Sequence, residues 1–127
     1  MEHDARQPAA DPQWQAQNLS YLMQAIAVVR AILNVAAAEA ENAPAPDIPA
    51  LHQSLAAIAT SMPTPPSLDQ VCYHFDLTWF ERMILLCCVG QAIDPQFPGL
   101  LAKAQGITEG RYPTFQLALQ CFENPHW

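Results

Sequence analysis

Residues 77–90 read LTWFERMILLCCVG, from Leu77 to Gly90, and Glu81 and Arg82 are their only charged side chains. Thr78 stands three residues before Glu81, the spacing of a capping box: the hydroxyl accepts from the third amide while the Glu reaches back. The spacing therefore predicts a helix over about 79–92. On a helical wheel Phe80, Ile84 and Cys87 share one face, and Trp79, Met83 and Leu86 another. No polar stripe appears beyond the first turn until Gln91. Such a helix belongs at the centre of a core, or is covered by partners as well as neighbours. Glu81 suits the positive end of the helix, whereas Arg82 opposes the dipole there. Arg82 is thus expected to pair with a carboxylate: Glu81, Asp76, Asp69 or one supplied by a partner. Trp79, Phe80, Glu81 and Arg82 form a structural staple or, as the sharper reading, the candidate interface.

Working outward, Ser67-Leu-Asp-Gln70 has the same capping spacing and predicts a helix over about 68–75. Only Asp76, Leu77 and Thr78 separate it from the next, which reads as a helix-turn-helix unit. Downstream, Asp94-Pro95 and Phe97-Pro98 open a short helix that Gly106 ends. After a turn over 110–113, Pro113 or Thr114 starts a last helix carrying Phe115, Ala118, Leu119 and Phe122 on one face, and Asn124-Pro125 stops it. Upstream, Asp11-Pro12 signals a helix start, and the pattern runs unbroken to about Glu41. Leu19, Leu22, Ile26, Val29, Leu33 and Ala36 form a heptad seam, which Met23, Ile32 and Val35 widen. A helix over about 49–61 follows the Pro/Ala stretch. The expected architecture is all-α: a flexible tail over 1–10, then a single helical domain over 11–127. That domain comprises a long helix over about 12–41, a Pro-rich linker over 42–50 and a compact part over about 50–127. Its core is helix-turn-helix-like, a multi-helix bundle compatible with the start of a winged-helix domain.

Composition narrows the function classes. The chain has 127 residues, 51% apolar and 13% charged, with twelve acids against five bases and a formal charge of −7. Arg6, Arg30, Arg82, Lys103 and Arg111 do not cluster, so nothing here neutralises a run of phosphates, and nucleic acid and anionic lipid are not expected partners. The longest uninterrupted apolar run, 83–90, is too short to span a bilayer, and MEHDARQPAADPQ has no signal-peptide pattern. Cys72, Cys87, Cys88 and Cys121 sit in apolar patterns and read as reduced, buried thiols of a cytoplasmic protein. With His74 they match no tight zinc-ligand spacing, and no base or electropositive setting accompanies Cys72 or Cys88 for nucleophilic work. His3, His52, His74 and His126 read as surface or cap residues. The glycines at 90, 99, 106 and 110 form no phosphate loop. No catalytic, cofactor or metal residue is expected.

The stretch LDQVCYHFDLTWFERMILLCCVGQAID, followed by YPTFQLALQCFENPHW, resembles the N-terminal helical region of bacterial AAA-type ATPases, including those encoded with contractile injection systems. The shared positions here include Phe75, Leu77, Thr78, Phe80, Glu81, Arg82, Leu85, Leu86 and Asp94, then Pro113, Thr114, Phe115, Leu117, Ala118, Leu119, His126 and Trp127. Where Asp76 stands, that family commonly has glycine. The resemblance implies a non-catalytic N-terminal domain that docks a client or adaptor, or positions the motor. It also implies that a winged-helix-like segment and an AAA module, with its ATP and magnesium, follow beyond residue 127. Two other readings stand beside it: a helical scaffold that pairs with a second copy through the seam at 19–36, and a DNA-binding helix-turn-helix.

Overall fold

The computed structural model describes residues 11–38, 47–106 and 113–122. Expectations for the tail, for 39–46, for 107–112 and for 123–127 lie outside the described residues. All regular structure among the described residues is helical: α1 (Pro12–Ala38), α2 (Ile48–Ser61), α3 (Ser67–His74), α4 (Trp79–Ile93), α5 (Phe97–Gln105) and α6 (Phe115–Phe122).

α1 is the hub. Its 27 residues extend about 40 Å, and α2, α4, α5 and α6 all pack against it. Ile26, Val29 and Leu33 of the expected seam are fully buried, and Ile32, which widens it, is buried; so are Trp14, Tyr21, Ala25 and Val28, which the seam left out. The buried arc is therefore wider than a heptad seam and turned away from it. Leu19, at 59% exposure, and Met23, at 46%, lie outside the arc. The reason is local: Ala25 and Ala31, both buried, let neighbouring backbones approach a side of α1 that a count of large residues passes over.

By length and composition α1 could cross a membrane, with a mean hydropathy of 1.6 over its best window. Scattered Gln and Asn residues hid this from a search for uninterrupted runs. Of that window 44% is buried against the other helices, as in the core helix of a folded domain, while Leu19 and Met23 remain exposed.

α4 takes a different place from the one expected. It is not enclosed on all sides. Met83, Leu86, Cys87 and Gly90 form one buried stripe at spacings of three and four, while Cys88 and Ile93 are exposed. Each fully buried Leu or Met here contributes about 1.5–3 kcal/mol. Gly90 permits the α4–α5 crossing: a Cβ there would lie 2.6–2.9 Å from three atoms of the Phe97 ring, which is itself fully buried.

The helix ends follow their sequence signals unevenly. At α4 both halves of the capping box form: Glu81 N–H donates to Thr78 Oγ1 at 3.2 Å, and Thr78 N–H to Glu81 Oε1 at 2.9 Å. At α3 the expected box is absent. Pro66, in polyproline geometry, stands at the cap and draws Ser67 into the helix. Gln70 Nε2 then donates to the Pro65 carbonyl, and the Ser67 N–H donates to Asn18 Oδ1 of α1 at 2.8 Å. A tertiary contact thus satisfies a terminal amide that the local motif was expected to satisfy.

The linker is shorter than 42–50, because Asp47 caps α2 through Ala50 N–H and Pro49 fits the first turn. Asp94 Oδ1 accepts from Gln96 N–H and joins α4 to α5 in an Asx turn. Gly106, at φ 73°, ends α5 in the left-handed conformation.

Candidate functional site

The turn between α3 and α4 organises the site. α3 ends in a Schellman motif: Leu77 N–H donates to the Cys72 carbonyl at 2.9 Å, and Asp76 N–H to the Tyr73 carbonyl at 3.2 Å. Asp76 itself has φ 54°, the one positive φ among the described non-glycine residues. Thr78 then caps α4 immediately.

Held this way, α3 stands off from the backbones of its neighbours. It is attached by Leu68, which is buried, and by a cycle of polar groups. Tyr21 O–H donates to Asp69 Oδ1 at 2.8 Å, Arg82 Nη1 donates to the same oxygen at 2.7 Å, and Arg82 Nη2 donates to Tyr21 Oη at 2.9 Å. One residue each from α1, α3 and α4 meets here, and the Arg82 guanidinium also lies 5.9 Å from the centre of the Tyr21 ring. Of the four carboxylate sources considered for Arg82, Asp69 is the one used; Glu81 is engaged in its cap.

The electrostatics follow from this packing. Burial works against the charge of Arg82, but the hydrogen bonds it donates to Asp69 and Tyr21 outweigh that, and the guanidinium is held charged above its ordinary range. Burial raises the Tyr21 phenol, with Arg82 pulling the other way. His52 of α2 is lowered, first by burial and then by the charge of Arg82. Its ring lies 5.3 Å from that of Trp79.

Beneath the cycle is an open pocket of about 400 Å³ between α1, α2, α3 and α4. Tyr21, Asp69, Arg82 and His52 form its polar edge, and Leu55, Leu86 and Trp79 are among its apolar walls. The volume is at the lower end of the range for small-ligand pockets. A smaller apolar recess of about 230 Å³ lies between α4 and α6, beside Ile84, Cys88 and Leu117.

The expected site residues divide. Arg82 and Trp79 line the pocket, Phe80 packs half-buried against the core, and Glu81 is exposed in its cap. Among the described residues the most exposed large apolar side chains are others: Tyr73 at 83% and Phe75 at 72%, at the end of α3. The pattern that could have found them is Cys72-Tyr-His-Phe75. Leu68 and Cys72 share the inward face of a short helix, so Tyr73 has to face away.

Cys87 is buried and Cys72 and Cys121 partly so, but Cys88 is exposed, contrary to expectation. Burial pushes the Cys87 thiol up to about 12, with Cys88 and Cys121 adding to the effect. Burial also raises Cys121. His74 is exposed, whereas His52 lines the pocket rather than the surface. No group of three or more metal-ligating side chains occurs among the described residues.

A family model described as "Winged helix domain, variant" matches residues 2–125. The chain belongs to that family. Neither a curated protein nor a solved structure matches it. The assignment agrees with α3 and α4 as a helix-turn-helix, and it extends the winged-helix identity over residues 2–125, where only the start of such a domain was expected. In this variant winged helix the described residues contain helices and no strand.

The second helix of a helix-turn-helix usually reads the major groove with exposed polar side chains. Here α4 directs Met83, Leu86, Cys87 and Gly90 inward, and its one cation is engaged with Asp69 and Tyr21. Arg30 of α1 is likewise paired, with Asp94 at 2.7 Å.

Proposed function

We propose that this variant winged helix is a non-catalytic protein-docking module, and that it is the N-terminal part of an AAA-type ATPase of the kind associated with contractile injection systems. The observation that carries the docking reading is the state of α4. Its inward stripe is committed to the core and its cation to an internal cycle, so the helix that would enter DNA has no free base for phosphates. Tyr73 and Phe75, exposed beside the turn, supply the kind of aromatic surface that protein interfaces favour.

The ATPase reading rests on the motif resemblance at Phe75, Leu77, Thr78, Phe80, Glu81 and Arg82. The backbone at Asp76 supports it. A φ of 54° is a conformation glycine adopts freely, and glycine is what the resembling ATPases commonly carry at this position. ATP and magnesium would then belong to a separate AAA module and a client or adaptor to this one, in the cytoplasm.

A DNA-binding helix-turn-helix is the second reading, favoured by the family assignment itself. The two separate by measurement. Duplex DNA at about 50 mM salt should give no mobility shift with micromolar protein, whereas a shift that weakens steeply with added salt replaces the docking reading. Reading the gene beyond codon 127 tests the ATPase part: a G-x-x-x-x-G-K-[ST] motif is expected, and a stop codon there removes it. A scaffold pairing through the 19–36 seam would need a dimer at high concentration. Val29 and Leu33 of that seam are already covered within one chain, so a monomer mass in solution is the expected result.

A further inference from the structure

The pocket under the Tyr21–Asp69–Arg82 cycle has a composition that narrows its occupant. Its walls are mainly apolar, and its one polar edge joins a guanidinium to a carboxylate. Asp69 uses Oδ1 for both bonds of the cycle, so Oδ2 is not engaged there, and Arg82 uses two of its N–H groups and has five in all. The edge therefore offers donors and an acceptor side by side.

Its charge is balanced, one positive against one negative, and His52 adds none near neutrality because burial and Arg82 hold its protonation below the ordinary range. A ligand carboxylate would meet Asp69 as well as Arg82, and an ammonium Arg82 as well as Asp69, so a full charge gains little net attraction while losing its hydration. A neutral amide, with an acceptor and a donor on adjacent atoms, complements both. We propose that this pocket binds a segment of a partner polypeptide, taking one large apolar side chain between the helices and hydrogen-bonding the adjoining backbone amide at the Arg82–Asp69 edge. The inference rests on the docking reading and specifies which part of the module does the recognising.

The test uses a blocked single residue as the probe. N-acetyl-L-phenylalaninamide is titrated into isotope-labelled protein while the indole N–H signals are followed. Trp79 lines the pocket, whereas the Trp14 indole is bonded to the Thr64 carbonyl and serves as an internal control. A saturable shift at Trp79 is expected with Trp14 unmoved, at a dissociation constant of about 1 mM for so small a ligand. N-acetyl-L-phenylalanine, which carries a carboxylate, should bind at least about fivefold more weakly, because Asp69 offsets its attraction to Arg82 and the desolvation of a full charge is left uncompensated.

Cys72→Phe places a ring in the pocket from half-exposed α3 and should abolish the shift. Arg82→Lys keeps the charge but loses the fork, and should weaken binding while the fold, checked by circular dichroism, is retained. No movement at Trp79 overturns the proposal, as does equal binding of the carboxylate, or a shift that survives in folded Cys72→Phe protein. These outcomes leave docking through Tyr73 and Phe75 standing. A salt-sensitive DNA shift removes the docking reading whatever the probe does.

Discussion

Twenty-seven residues of α1 carry a single charge, Arg30, and fifteen of α4 carry two, Glu81 and Arg82. Both helices read as greasy, yet the fold uses them differently. α1 is buried over a broad arc by four other helices, whereas α4 buries one stripe and leaves its flanks half-covered. Hydrophobicity alone does not distinguish the two. What does is where small residues sit. Ala25 and Ala31 are buried within the arc of α1, while on α4 Gly90 lies tight against the Phe97 ring. Apolar composition marks a helix as a core candidate, and side-chain size decides from how many directions it can be packed.

Substituting one large residue in each helix gives the sharpest break in this comparison. Ile26 of α1 is fully buried, and Ile26→Ala should lose about 2–5 kcal/mol of stability. Leu85 of α4 is only half-buried against the core, and Leu85→Ala should lose less than half as much. Urea denaturation of the two variants measures the difference. Equal losses would restore α4 as an enclosed helix.

Gly90→Ala comes next. In an open helix the exchange would gain about 1 kcal/mol. Here the added methyl meets the Phe97 ring at 2.6 Å, so a net loss of about 1–3 kcal/mol is expected. Adding Phe97→Leu should recover part of it, which a double-mutant cycle reads directly.

Local features were the legible ones. The Thr78–Glu81 box needs only four consecutive residues, and it forms as the spacing predicts. The Arg82 pairing was legible as a need, since a cation in a first turn asks for a carboxylate, and Asp69 was among the candidates. Tyr21 was not, because it lies 61 residues away and no periodicity links it to Arg82. The box at Ser67–Gln70 has equally good spacing but does not form: Pro66 fixes the backbone before Ser67, and Asn18 takes over the amide. The buried arc of α1 differs from the seam because Trp14, Tyr21, Ala25 and Ala31 fall outside its register. The pocket was out of reach for the same reason as Tyr21: four helices define it, and its shape depends on how far α3 stands away.

The turn before α4 gives an effect of the opposite sign. Asp76 holds a left-handed backbone that its side chain disfavours. Asp76→Gly should raise stability by about 0.5–1 kcal/mol, while Asp76→Ala should lower it. If glycine instead destabilises, Asp76 is holding the turn through its side chain. That would separate this chain from the resembling ATPases at a position where they commonly carry glycine.

The smallest effect is at the other end of α4, where Asp94 ties that helix to the middle of α1 through Arg30. The Gln96 N–H, and then the Arg30 guanidinium, hold the Asp94 carboxyl below its ordinary range. A carboxyl depressed in the folded state adds stability that is complete above its unfolded value, near pH 4. That contribution fades as pH falls through the folded value. The Arg30 side chain is 36% exposed, so solvent screens the pair, and it contributes no more than about 0.5 kcal/mol at neutral pH. Asp94→Asn should therefore leave stability at pH 7 nearly unchanged and make the decline below pH 4 shallower. The difference between the two proteins should shrink further in about 1 M salt. An unchanged acid limb would mean that the Arg30–Asp94 pair adds nothing to the joint between α4 and α1. That joint would then rest on packing and on the Arg82–Tyr21 bond at the opposite end of α4.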